Sequence, residues 1–531
     1  MGGCLSISGE INAFIIVKKG VFLQNLCIYY FLGDWMTQGI ISVLYVTSEA
    51  AGYVGTSPLA VASAQLPLAV REVGPDIRLT FPKYGFMSER RCRIHEITRL
   101  KEFEVPVAGG KDFAWCKSSS LNNIHSKVQV YVIGNQTYFG RMGVYADPGT
   151  NKEYADNGER FAFFCRSILE TCKLLGWRPS IIHCNDWQTG LIPAYAKLLY
   201  GNDGFFTGTK FIFTIHNINN QGAFDKSVFD ITELPAKAWS KDGVQQGKQI
   251  NFMKAGIQYA DMVTTVSEGH AKEITERGGG FGLEDVLAQK KRGRKLIGIL
   301  NGIDYDVWNP AKDTHIKQKF NKDSLGDKVE NKRAFCDKAG FDFQSDTPLI
   351  GFVNAFTEEN GMGIIQESLQ ELSKMNGQFY FHGKGSEKYQ DTLTKFAKKH
   401  PGSFAVNIGA NETLEHQLYA SCDIMIFPTQ YEPGGTQQLR ALRYGAVPIA
   451  HATGGLADAV QEPPGTKANP ATGFAFQKFT AADFQKTMKR ALTAWNDHEA
   501  WKKIQLNGMT KDVSWKSTAQ KYTEIYKTVL K

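Results

Sequence analysis

From Asp423 to Val460 the chain reads DIMIFPTQYEPGGTQQLRALRYGAVPIAHATGGLADAV, and this stretch constrains the fold more than any other. Asp423–Phe427 is a short apolar strand. A turn, Tyr431 to Thr436, follows it, and then a helix, Gln437–Tyr444, stopped by Gly445. The order repeats at once, with a strand at Val447–Ala450 and a helix opening at Thr453-Gly454-Gly455. Such alternation predicts an open parallel sheet, whose ligands bind at the carboxyl ends of the strands. Glu432 places a carboxylate just before a helix. Gly434-Gly435 and Thr453-Gly454-Gly455 expose backbone N–H groups at helix N-termini, which suit a phosphate. An acid for hydroxyls beside a cradle for an anion is what a sugar-nucleotide site needs. Glycine-rich βα turns also occur throughout doubly wound folds, with or without a ligand.

At 531 residues the chain has room for two or three domains. A formal charge of +8 is a mild excess for this length and does not imply nucleic acid, for which no aromatic-basic stripe is present. The nine cysteines include no CxxC pair, which argues against a zinc site and a disulfide framework and fits a reducing compartment. At the start, Gly2, Cys4 and Ser6 fit an acylation pattern, and membrane contact is expected only if Gly2 and Cys4 are acylated. Residues 11–35 are broken by Lys18, Lys19, Gln24 and Asn25, so they offer no transmembrane helix. A natural start at Met36 and a cleaved leader are the other readings of this segment.

The combination E-P-x-G (Glu432 to Gly435), A-L-R-Y-G-x-V-P-I (Ala441 to Ile449) and T-G-G-L-A-D (Thr453 to Asp458) resembles the glycogen and starch synthases, retaining glucosyltransferases. The likeness extends over Tyr138 to Tyr145, Tyr154 to Phe164, Ile181 to Leu191 and the crossover Gly298 to Asp304. It implies an α/β protein of GT-B fold, with two doubly wound, Rossmann-like domains facing a cleft. The implied division is an N-terminal extension (1–36), an acceptor-side domain (37–300), a donor-side domain (301–510) and a terminal helix that crosses back (511–531). The resemblance gives Glu432, Asn185 and Asp156 as the catalytic group. Tyr431, Gly434, Gly435, Thr453, Gly454 and Gly455 are its donor-binding group, and His216 is secondary. Asp156 equally suits a helix N-cap, Asn185 a turn, and His216 a structural role. The implied reaction transfers glucose from ADP-glucose to the 4-hydroxyl end of an α-1,4-glucan. The sugar nucleotide is a co-substrate, no metal or other cofactor is implied, and the setting is cytoplasm or plastid.

Two loops depart from the family, and with them three cations. Its K-x-G-G-L-x-D loop falls on Gly55 to Val61, so the lysine becomes Gly55 and the glycine pair Ser57-Pro58. Its S-R-L-x-x-x-K-G segment falls on Asn354 to Gly361, so the arginine becomes Ala355 and the lysine Asn360. Lys384, after the next strand, is a cation with no assigned place. Loss of one preorganised stabiliser of developing charge costs roughly a hundredfold in rate, so three independent losses reach on the order of a millionfold, an upper bound because such effects are not additive. Two expectations stand: an active glucan synthase, and an inactive protein of the same fold that binds glucan or serves as a scaffold. The residues between 311 and 335, rich in lysine and aspartate, read as a solvated helix and loop.

Overall fold

The computed structural model describes residues 39–55 and 57–531. Gly2, Cys4, Ser6 and Met36 therefore lie outside the described residues. The chain divides into Met1–Ile41 and Ser42–Lys531, and the second unit holds the described strands and helices.

That unit is built on two large sheets, one mostly parallel and one wholly parallel. The strands of the first lobe are β1 (Ser42–Val46), β2 (Asp76–Pro82), β3 (His95–Glu96), β4 (Phe103–Val107), β5 (Gly110–Asn122), β6 (Lys127–Gly134), β7 (Ile181–Asn185) and β8 (Lys210–Ile215). After a small antiparallel sheet of β9 (Ala223–Asp225), β10 (Gln245–Gln246) and β11 (Gln249–Asn251) come β12 (Met262–Thr265) and β13 (Leu296–Gly298). The large sheet runs β13-β12-β8-β7-β1-β2-β6-β5-β3, with β4 paired to β5. From β13 to β6 every pairing is parallel. Helices cover both faces of these strands, so the strands read as unbroken apolar runs instead of alternating ones. The second lobe carries β14 (Leu349–Val353), β15 (Gln378–Gly383), β16 (Phe404–Ile408), β17 (Ile424–Phe427), β18 (Val447–His451) and β19 (Phe474–Phe476), all parallel in the order β16-β15-β14-β17-β18-β19. One apolar cluster around Tyr419 and Tyr444 and another around Phe381 and Trp501 make up its core.

Register places the site. Val46 pairs with Cys184, Asn185 with Thr214, and Thr265 with Ile215. The residues that follow these strands, Glu49, Asp186, His216 and Ser267, therefore emerge together at one carboxyl edge. Residues 423–460 supply the facing edge of the other sheet. The lobes are joined where Ile303 donates its N–H to the Val513 carbonyl at 2.8 Å. Beyond that point the helix Trp515–Leu530 packs on the helix Pro58–Glu72 of the first lobe. Its Tyr526 hydroxyl lies 2.9 Å from Nδ1 of the buried His183.

The lysine-rich segment 311–335 is not wholly solvated. Lys328 and Lys332, on the helix Lys328–Ala339, are buried. Lys328 Nζ donates to the carbonyls of Tyr419 (3.0 Å), Ala420 (2.9 Å) and Tyr444 (3.0 Å). Two helices end there, and their last carbonyls have no partner within the helix. Composition reads such lysines as surface because the carbonyls they serve lie far away in the sequence. Among the described residues no helix is long and apolar enough to cross a membrane, and the seven described cysteines are free.

Candidate functional site

The first wall of the cleft is a chain of internal hydrogen bonds. Asn185 ends β7 and is fully buried. Its Nδ2 donates to the Val46 carbonyl at 3.0 Å, and its Oδ1 accepts from Nε2 of His216 at 2.9 Å. The amide is thus committed to the protein, and His216 is the group it orients. Burial pushes the imidazole down to about 3, so it is neutral at ordinary pH. The next residue, Asp186, has φ 55°, a left-handed conformation that is uncommon outside glycine. Its carboxylate accepts the His216 backbone N–H at 2.7 Å, and burial raises its pKa to about 7. The sequence analysis does not single out Asp186, and Asn-Asp after a buried strand is the signal that points to it. Asp156 precedes the helix Asn157–Leu175 but makes no side-chain cap. It instead pairs with Arg141, whose Nη1 lies 2.7 Å from its Oδ1. Burial opposes its ionisation, and Arg141 overrides this to hold the carboxyl below the usual range.

Where the family lysine would stand, Glu49 closes the space. Ser57 Oγ donates to its Oε2 at 2.9 Å and Tyr145 Oη to its Oε1 at 2.6 Å. A Cβ added at Gly55 would overlap this carboxylate, and Gly55 itself has φ +75°. Pro58 takes the first position of the helix Pro58–Glu72, where a missing N–H costs nothing, and Ser57 caps that helix through Ala60 N–H at 3.1 Å.

The second wall likewise satisfies itself. Glu432 accepts the Gly435 N–H at 2.9 Å. Burial raises its pKa, the Gly435 and Gly434 N–H groups oppose this, and Glu359 adds to it. Thr453 Oγ1 and the Gly454 N–H both donate to Glu273 Oε1, at 3.1 Å and 2.8 Å. The Gly455 N–H goes to the Glu432 carbonyl at 3.0 Å. The donors of Thr453, Gly454 and Gly455, expected from the sequence to face a donor phosphate, are held here by internal oxygens. Buried N–H groups of a helix's first turn need an acceptor, and Glu273 supplies it from 181 residues away, beyond the reach of a local motif. Tyr431 Oη stands 2.8 Å from Nε2 of His270, which burial depresses to about 4. Burial, and then Glu273, Asp186, Glu432 and Glu359, raise the pKa of the Tyr431 hydroxyl. Asn360 donates to the Ala355 carbonyl at 3.1 Å and to Thr357 Oγ1 at 3.0 Å, stitching its own turn. Lys384 is exposed.

Residues 42–289 match the starch synthase catalytic domain and residues 337–506 the glycosyl transferases group 1. A glycogen synthase of Chlorobaculum parvum is 35% identical over 490 residues, covering 92% of this chain and 98% of that protein. Glycogen synthase 2 of Geobacter sulfurreducens is 37% identical over 487 residues, covering 91% and 98%. The chain belongs to the glycogen and starch synthase family of glycosyltransferases. Among solved structures, the catalytic domain of starch synthase IV from Arabidopsis thaliana, bound to ADP and acarbose, matches with a TM-score of 0.77 at 29% identity, over 92% of this chain and 99% of that one. Sucrose-phosphate synthase from Thermosynechococcus elongatus, at 15% identity and a TM-score of 0.55, shares the fold. The α/β, GT-B architecture expected from the sequence is thereby established. Positions 55, 355 and 360 hold no cation, and the charged neighbours that shift Asp186, Glu432 and Tyr431 are carboxylates.

Proposed function

We propose that the protein is a glucan-binding member of the glycogen and starch synthase family whose donor half does not sustain transfer from ADP-glucose at the family's rate. The observation that carries this reading is the Glu273 carboxylate on Thr453 and Gly454, facing a wall without lysine or arginine at 55, 355 and 360. A diphosphate brought here meets carboxylates at short range, and like charges in a buried cleft repel strongly. The sugar side is better kept. Glu432, and His216 oriented by the buried Asn185, are groups suited to neutral hydroxyls. The likeness to a starch synthase solved with ADP and acarbose supports a cleft of this shape taking a saccharide. The reading places the protein with α-glucan in cytoplasm or plastid, without a metal. Any membrane contact would depend on acylation at Gly2 and Cys4.

The second reading is transfer of glucose from ADP-glucose to the 4-hydroxyl of an α-1,4-glucan, with the sugar nucleotide as co-substrate. Similarity over nine-tenths of the chain and the presence of Glu432 favour it. Radiolabelled ADP-glucose with glycogen separates the two. The first reading expects incorporation at least about a hundredfold below an active relative, with glycogen still retarding the protein in affinity electrophoresis. Incorporation within tenfold of that relative would establish the second reading, and loss of retardation would remove the glucan-binding claim.

A further inference from the structure

Two short helices face each other across the cleft, Glu268–Glu273 in the first lobe and Gly454–Ala459 in the second. Each carries near its far end a carboxylate that reaches the first turn of the other. Asp458 accepts the Glu268 N–H at 2.6 Å and the Gly269 N–H at 2.9 Å. Glu273 accepts the Gly454 N–H at 2.8 Å and the Thr453 hydroxyl at 3.1 Å. Thr453 occupies the N-cap position yet caps nothing in its own helix, because its hydroxyl is turned to the opposite lobe. The helices approach so closely that a Cβ on Gly269 would lie 2.5 Å from the Gly454 carbonyl oxygen. Ser267 Oγ, donating to the Pro433 carbonyl at 2.5 Å, and His270 Nε2, 2.8 Å from Tyr431 Oη, flank the contact.

A helix's first turn leaves N–H groups without intrahelical partners, and a charged acceptor satisfies them best. Here each lobe supplies the other's acceptor. Separating the lobes therefore breaks both caps at once and strands donors on both sides, so the contact has two states instead of a graded series. We propose that Glu273 and Asp458 form a reciprocal latch that holds the two lobes closed from within. The latch stands whether or not the cleft turns over a sugar nucleotide.

Amide hydrogen exchange and small-angle scattering on the full chain test it. In Glu273→Ala and in Asp458→Ala, exchange at Gly269 and Gly454 should accelerate roughly tenfold to a hundredfold, the loss of one charge-assisted hydrogen bond at each amide, while the strands of both sheets keep their protection. The radius of gyration should rise. The double variant should exceed either single only slightly, because one break already releases the other cap. Glu273→Gln and Asp458→Asn keep size and an accepting oxygen, so they should fold and show a smaller acceleration. Unchanged exchange and unchanged radius in the double alanine variant would overturn the latch. So would strictly multiplicative effects of the two single changes, or isosteric variants as open as the alanine ones.

Discussion

Asn185 and His216 act as one hydrogen-bonded unit. Asn185, expected from the sequence near the sugar, has both ends of its amide bonded inside the protein, and His216 is the ring it holds. Asn185→Ala should cost about 1–3 kcal/mol in urea unfolding, the penalty for leaving the His216 N–H and the Val46 carbonyl without partners. Asp186 gives a pH signature. Its native pKa of about 7 lies above the unfolded value near 3.9. Between those values the native state binds more protons than the unfolded chain, so this group's contribution is full below about pH 4 and is lost as pH rises through about 7. Melting temperatures of wild type and Asp186→Asn should accordingly diverge in slope between pH 5 and pH 8, with the variant flatter. The donor wall makes a third prediction. Ala355→Arg with Asn360→Lys should raise ADP affinity by tenfold or more, read by calorimetry. Adding Gly55→Lys should not help. It forces a side chain to a left-handed backbone against Glu49, and it should cost about 1–2 kcal/mol of stability.

Among the elements, the helix Lys328–Ala339 departs most from its sequence reading. Its polar pattern suggests a solvated surface helix, but three carbonyls at the ends of two other helices converge on Lys328 Nζ. Burial depresses the pKa of this amine to about 8, so at pH 7 it is charged and fully bonded. Lys328→Ala should destabilise the second lobe by at least about 2 kcal/mol in urea titration, because the carbonyls it leaves remain buried. Strands fared better. β17 and β18 lie within a residue of their predicted ends, since short apolar runs bounded by turns admit few alternatives. The terminal helix expected within 511–531 begins at Trp515, because Ser514 provides the cap by accepting the Ser517 N–H at 3.3 Å.

At the scale of the whole molecule, the terminal helix Trp515–Leu530 belongs in space to the first lobe, where Tyr526 meets His183. Tyr526→Phe should lower stability by about 1 kcal/mol. Truncation before Trp515 should expose Tyr45 and His183 and abolish soluble expression, whereas the point variant should remain folded by circular dichroism. The sequence by itself determined the two largely parallel sheets, the family, and the loss of cations at 55, 355 and 360. Each of these is written in local runs of a few residues, where strand length, turn chemistry and charge are read directly. Only the tertiary structure decided what fills the resulting space. Glu273 sits on Gly454, Glu49 beside Gly55, and Lys328 beneath two helix ends, each brought by a segment distant in the chain or by the fold of a loop. A motif states which groups can bind an anion. Whether they are free to do so depends on which other carboxylate the fold delivers to them, and that pairing is set by the packing of one lobe against the other.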